Sequence, residues 1–182
     1  ISSNVIFALN QDLNGNIWIG TANNGLNKLN IQTESFDIFK NIDYQNNSIA
    51  GNTIKCITLD NHGDLWMGTF MGGISKLDFH KVKFNHYQHY FNDKNSLSNN
   101  KTTSFLEMNT NDIWIGTDGG GINRFNPEKG TFIHYRDSHK ATINSDFIMS
   151  LQRINNQIWA GTYNQGINIL DINGNLVKIY RM

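Results

Sequence analysis

Apolar residues fall in short runs of four to eight, many of them β-branched or aromatic. Each run is closed by a polar cluster rich in Asn, Asp and Gly, such as LNGN at 13–16 or NHGD at 61–64. Runs of that length between turn residues predict strands joined by tight hairpins, and they lack the 3.6-residue period of an amphipathic helix. First strands are predicted at VIFAL (5–9), IKCITL (54–59), TTSFLEM (102–108) and FIMSL (147–151). Second strands follow at IWIGT and third strands at GLNKL, each with its counterparts. Fourth strands fall where an apolar residue is followed three positions later by a ring: Phe36 with Phe39, Phe84 with Tyr87, Phe132 with Tyr135, Val177 with Tyr180. A spacing of three breaks strict alternation, and so predicts a bulge or the end of the strand at the second ring.

The pattern repeats four times and registers on tryptophan: NIWIGTANNGLNKL at 16–29, DLWMGTFMGGISKL at 64–77, DIWIGTDGGGINRF at 112–125 and QIWAGTYNQGINIL at 157–170. Trp18, Trp66, Trp114 and Trp159 are 48, 48 and 45 residues apart, and every copy keeps Gly-Thr just after Trp and a second Gly seven past it. Repeats of about 45 residues with four antiparallel strands have the size of propeller blades. The fold predicted is therefore all-β, four four-stranded antiparallel blades, with repeats at about 1–52, 53–101, 102–146 and 147–182. Both faces of the second strand are apolar or small, as Ile17 and Ile19 alternate with Trp18 and Gly20. A sheet covered on both sides predicts this, and blades stacked face to face supply the cover.

Charge narrows the partners. Lys plus Arg equal Asp plus Glu at 15 each, so no net positive field exists to hold nucleic acid. The single Cys56 lies in an apolar run and is expected to be buried and inert. No stretch approaches the ~20 apolar residues of a membrane span. Starting at Ile1 without a signal-peptide pattern, the chain is read as a fragment, and the missing targeting signal says nothing of compartment.

The segments DLNGNIWIGTANNGL and DNHGDLWMGTFMGGI, with the linker NSLSNN, resemble the two-component regulator propeller repeat. Copy three replaces the D-x-x-G hairpin by Met108-Asn109-Thr110-Asn111, and copy four shortens it to Arg153-Ile154-Asn155-Asn156. The resemblance implies rings larger than four blades, so the four repeats are expected as an open fragment of a larger propeller. It also implies the periplasmic sensor half of a hybrid two-component histidine kinase, which detects glycan fragments and controls polysaccharide-use genes. The kinase would lie outside this chain, which is not itself expected to be an enzyme.

The stretch 116–121, GTDGGG, has the glycine density of a phosphate-cradling loop. Gly116 and Gly121 recur in all four copies between two strands, with neither a lysine nor a helix N-terminus to hold phosphate, so they are frame residues of a blade turn. No cofactor is expected. Within the constant frame GT-x-x-x-G the contents vary, and a constant frame with variable tips suits recognition. Binding candidates are Asn23 and Asn24, Phe70 and Met71, Asp118, and Tyr163, Asn164 and Gln165, with Tyr44 from an inter-repeat loop. Asp93, Asp137 and His139 of the long loops are weaker candidates, the loops chiefly bridging one repeat to the next. Rings mixed with amides and carboxylates suit the faces and hydroxyls of an oligosaccharide.

Two chemistries compete with binding. Some propellers are metal-dependent lyases with Glu and His at the channel, which directs attention to Glu107. Its counterparts in other repeats are Gln11 or Gln152, so it is expected as a polar strand end. His86 and His89 stand three apart, a spacing that points to opposite faces of a strand, so no metal site is expected. A protein-interaction or dimerisation scaffold is the main alternative to a sensor, its partners being further blades of the parent protein or a second copy of this chain. Two open arcs completing a ring of eight would be one such assembly.

Overall fold

The described residues of the computed structural model, all except 44, 46, 80, 82, 138–141 and 182, form sixteen strands and no helix. The first sheet is β1 (Ile6–Gln11), β2 (Ile17–Thr21), β3 (Leu26–Asn30) and β4 (Ser35–Phe39). The second is β5 (Ile54–Leu59), β6 (Leu65–Thr69), β7 (Ile74–Asp78) and β8 (Lys83–Tyr87). The third is β9 (Thr102–Asn109), β10 (Asp112–Thr117), β11 (Ile122–Asn126) and β12 (Thr131–Tyr135). The fourth is β13 (Ile148–Ile154), β14 (Gln157–Thr162), β15 (Ile167–Asp171) and β16 (Leu176–Tyr180). Each is a four-stranded antiparallel meander in chain order, as the hairpin signals predict. Every fourth strand ends at the second ring, and β4, β8 and β12 pair with their neighbours without a register shift. The spacing of three therefore marks a strand end, and in β16 a bulge as well, where the register shift between Ile169 and Leu170 leaves Val177 as the extra residue.

The chain divides into two compact units, Ile1–Gln88 with the first two sheets and His89–Met182 with the last two. In the first unit Trp18 and Leu26 of one sheet join Ile54, Ile57, Leu65, Met67, Leu77 and Phe84 of the other in one buried cluster. The second unit buries Trp114, Ile122 and Tyr135 with Ile148, Leu151, Ile158 and Leu170. In each unit the first glycine of the leading sheet's frame, Gly20 or Gly116, makes the close approach possible. A Cβ on Gly20 would lie 2.8 Å from Ile54 Cγ2, and one on Gly116 2.8 Å from Ile148 Cγ2.

A ring always lies 21 residues after the tryptophan, and the packing explains why. Trp66 stacks on Tyr87 with centroids 5.7 Å apart, Trp114 on Tyr135 at 5.2 Å, while Trp18 meets Phe39 at 5.5 Å and Trp159 meets Tyr180 at 6.1 Å. The D-x-x-G hairpin serves the same tryptophan. Asp12 accepts the backbone N–H groups of Asn14 and Asn16 and, at 2.9 Å, the Trp18 indole N–H. Asp60 repeats this for His62, Asp64 and Trp66.

The long loops do more than bridge repeats. Ile49, Leu97 and Ile143 are buried loop residues, and Ile49 and Ile143 belong to the two cores. The residue after each hydrogen-bonds a polar residue of the third strand. Ser98 N–H donates to Asn123 Oδ1 at 2.8 Å while Asn123 Nδ2 donates to Ser98 Oγ at 2.7 Å. Ser2 with Asn27 and Asn144 with Asn168 form the same reciprocal latch, and Ala50 N–H donates to Ser75 Oγ. Buried amides in a strand need such partners.

Candidate functional site

The GT-x-x-x-G frame is a closed turn of one geometry in all four copies. The threonine hydroxyl donates to the carbonyl of the second glycine, at 2.7 Å in Thr21 and 2.8 Å in Thr69, Thr117 and Thr162. That glycine has φ of 80° at Gly25, 77° at Gly73, 73° at Gly121 and 76° at Gly166, and at Gly25, Gly121 and Gly166 a side chain would also strike the backbone of the fourth strand's end.

Each turn is tied to the loop before a first strand. The residue after Thr donates its backbone N–H to a carbonyl there: Ala22 to Val5, Phe70 to Thr53, Asp118 to Lys101, Tyr163 to Phe147. Turns and inter-repeat loops thus emerge together, as a propeller requires. The middle tip residue is left-handed in three copies, with φ of 61° at Asn23, 75° at Met71 and 101° at Gly119. Asn and Gly tolerate that region, whereas in Met71 it costs about 1–2 kcal/mol.

Among the candidates, Tyr163 is 74% exposed, Met71 65% and Phe70 42%, and Asn164 is exposed. Asn23 is occupied by the frame, for its Oδ1 accepts the Thr53 hydroxyl at 2.8 Å and its backbone N–H donates to Thr53 Oγ1. Asn24 and Gln165 are half-buried, each with its carbonyl accepting a side chain of the preceding loop. Asp118 is half-buried and bridges Phe147. Tyr44 and His139 lie outside the described residues. The first unit gathers Asn23, Asn24, Phe70 and Met71, and the second gathers Asp118, Tyr163, Asn164 and Gln165.

A recurrent bulge in the first strand has no counterpart in the sequence pattern. Register shifts between Ile6 and Ala8, Ile54 and Cys56, Thr102 and Ser104, and Ile148 and Ser150 turn out one extra residue per sheet: Phe7, Lys55, Thr103 and Met149. Bulges re-aim side chains in this way. Phe7 and Lys55 adjoin the candidate Phe70: Lys55 Nζ lies 3.6 Å from the Phe7 ring centroid and 5.9 Å from that of Phe70. In the second unit Phe147, 49% exposed, stands beside Asp118 and Tyr163. Neither Phe7 nor Phe147 carries a motif, so only the bulge and the turn reveal them.

Glu107 is half-buried opposite Ile113, as Gln11 is paired with Ile17; the same position in the fourth sheet belongs to Arg153, since Gln152 opposes Trp159. The expected match of Glu107 with Gln152 is thus off by one residue, because the fourth copy's shorter hairpin shifts the numbering. His86 Nδ1 sits 3.3 Å from Ser75 Oγ, and His89 donates to the Leu97 carbonyl at 2.8 Å. Cys56 is half-buried, and burial pushes its thiol up to about 12 against a hydrogen bond with the Gly68 backbone. At neutral pH such a thiol is unreactive. Two grooves open at the opposite hairpins, one lined by Gln11, Asn16 and Lys28, the other by Asn111, Arg124 and Lys129, away from the candidate tips.

The family described as "Two component regulator propeller" matches residues 1–23 and 48–71. The fold is similar to the extracellular domain attributed to a hybrid two component system from B. thetaiotaomicron, with TM-score 0.89 and 24% identity over 100% of this chain and 25% of that one. A second such domain from B. thetaiotaomicron matches with TM-score 0.80 and 24% identity, over 96% of this chain and 25% of that one. Virginiamycin B lyase from Staphylococcus aureus matches with TM-score 0.72 and 15% identity, over 98% of this chain and 56% of that one. No curated protein matches the sequence. The chain spans a quarter of the length of the two component structures, and at these identities the likeness shows the fold, β-propeller blades.

Proposed function

We propose that this chain, which carries two component regulator propeller repeats, is a ligand-sensing segment of the extracytoplasmic part of a hybrid two-component histidine kinase. In this reading it lies in the periplasm and recognises a glycan fragment through its blade turns. The observation that carries the proposal is the turn itself. Four frames share one hydrogen-bonded geometry, yet they present Phe70 and Met71 in one unit and Asp118 and Tyr163 in the other. Exposed rings beside amide and carboxylate groups on a rigid frame fit the apolar face and hydroxyls of a sugar. The likeness to extracellular domains of two component systems agrees with that location. An oligosaccharide array followed by titration tests it: Phe70→Ala and Tyr163→Ala should each weaken the bound sugar about tenfold or more. An array without a binder would sink the reading.

A scaffold reading draws on a different surface. Leu9 is 63% exposed and Phe36 38%, whereas their counterparts Ile57 and Phe84 in the second sheet are 9% and 7% exposed. That face of the first sheet has the side chains of a covered one. It suits another blade, from the parent protein or from a second copy of this chain. Light scattering that finds a monomer at high concentration, with no apolar-dye binding, would remove the second-copy form of this reading. The lyase reading keeps only the 15% likeness in fold.

A further inference from the structure

We propose that Phe7, Lys55 and Phe70 form a subsite for a carboxylate-bearing sugar, so that the ligand is an acidic oligosaccharide. The inference rests on the glycan reading above and names the class of glycan. Phe7 and Lys55 occupy the same position in neighbouring sheets of one unit, 48 residues apart, and each is the residue its bulge expels. They meet, with the ammonium 3.6 Å from the Phe7 centroid and within 5.9 Å of that of Phe70. Both rings remain open to solvent, Phe7 at 44% and Phe70 at 42%. The next residue, Met71, is 65% exposed at the left-handed tip position that the turn shares with Asn23 and Gly119.

The charge is the deciding feature. Like Lys28 and Lys178, Lys55 has no carboxylate within 4.0 Å among the described residues, and of these three it is the one that lies against two rings, Phe7 and Phe70. Ring faces attract the ammonium without neutralising it. A carboxylate supplies the missing counter-charge and a charge-assisted hydrogen bond, while a pyranose ring's C–H face covers the phenylalanines. A neutral sugar would leave the ammonium unmatched, and a bare inorganic anion would leave the rings uncovered.

Calorimetric titration of the chain with oligogalacturonate, oligomannuronate and hyaluronan fragments, each beside its carboxyl-reduced form, tests the assignment. At least one acidic oligosaccharide should bind, with its reduced form about tenfold or more weaker. Lys55→Met should bring the acidic ligand to that weaker level, Lys55→Arg should restore it, and Phe7→Ala should weaken both forms. Equal binding of acidic and reduced forms, or acidic binding unmoved by Lys55→Met, overturns the subsite while leaving sugar recognition by the turns intact. Binding of none of these overturns the subsite, and an oligosaccharide array without any binder overturns the glycan reading with it. Poly-L-glutamate held with the same Lys55 dependence would assign the charge to an acidic peptide and likewise overturn the proposal.

Discussion

The second and third sheets share one strand pattern and part at a single hairpin. In the second, Trp66 donates its indole N–H to Asp60 Oδ2 at 2.8 Å, while Asp60 Oδ1 takes the backbone N–H groups of His62 and Asp64. Lys76 then lies 2.8 Å from Asp64 and 3.7 Å from Asp60, over the Trp66 ring. In the third, Asn109 tightens a shorter hairpin through the Asn111 N–H, and the buried Trp114 indole N–H has no hydrogen-bond partner among the described residues. There Arg124 forks onto Asp112 with two bonds of 2.7 Å and lies 5.4 Å over a tryptophan stacked within 4° of Tyr135. The aspartate is thus a device for satisfying an indole and a turn at once. Stacking and a cation hold the ring in place without it, but a buried donor is left unmatched at a cost of about 1–3 kcal/mol.

The largest way to break this contrast is Asp60→Ala. It strands an indole and two backbone donors and removes one carboxylate from Lys76, so unfolding in urea should show a loss of about 3–4 kcal/mol. A loss below about 1 kcal/mol would mean that stacking already carries the second sheet as it does the third.

A smaller effect separates the two tryptophans. Trp66→Phe deletes a hydrogen bond and leaves Asp60 Oδ2 short of a donor; Trp114→Phe deletes a donor that has no acceptor among the described residues. Both lose ring area, so the difference isolates the indole, and Trp66→Phe should be the more damaging by about 1–2 kcal/mol in the same urea assay. Equal losses would show that the Asp60 bond adds nothing net.

Much of this contrast was legible in the sequence. Tryptophan spacing, the GT-x-x-x-G frame and the ring pairs fixed sixteen strands to within a residue or three, because hairpins are local and the side-chain period is two. The loss of D-x-x-G in copy three was equally plain, but its consequence was not, since Asp112 and Arg124 meet only across paired strands. The bulge that turns out Phe7 and Lys55 left no mark, because one residue more or less in an apolar run looks alike on paper. The burial of Ile49 and Leu97 was hidden inside polar loops. Turn tips were correctly expected at the ends of frames, whereas the partner that occupies Asn23, Thr53 of the following loop, depends on sheet against sheet.

Arg124→Lys sharpens the comparison further. Lysine keeps the charge above Trp114 but cannot fork onto Asp112, so a loss of about 1 kcal/mol is expected. Lys76 makes a point contact with Asp64 that arginine can also make, so Lys76→Arg should change the urea midpoint little. Equal losses at the two sites would show that position, not the fork, sets the energy.

The smallest effect is a dependence on acid that the Asp12 hairpin has and the asparagine hairpin lacks. Burial pushes the Asp12 carboxyl up, but the side chains of Asn16 and Trp18 and the backbone N–H groups of Asn16 and Asn14 together outweigh it, holding the group below the usual carboxylate range. A carboxyl depressed in the folded state binds fewer protons there than in the unfolded chain. Its stabilising contribution is therefore complete above the unfolded value of about 4 and is lost as pH falls through the folded value. Asp12→Asn should accordingly destabilise the chain by a constant amount from about pH 7 to pH 5, and by less and less below about pH 4, because a protonated carboxyl and an amide become alike. Asn109→Ala in the third sheet removes a neutral acceptor and should cost the same at every pH. Urea midpoints measured across that range compare the two directly, and an Asp12→Asn penalty that persists undiminished to about pH 2 would show that shape rather than charge makes aspartate the hairpin residue.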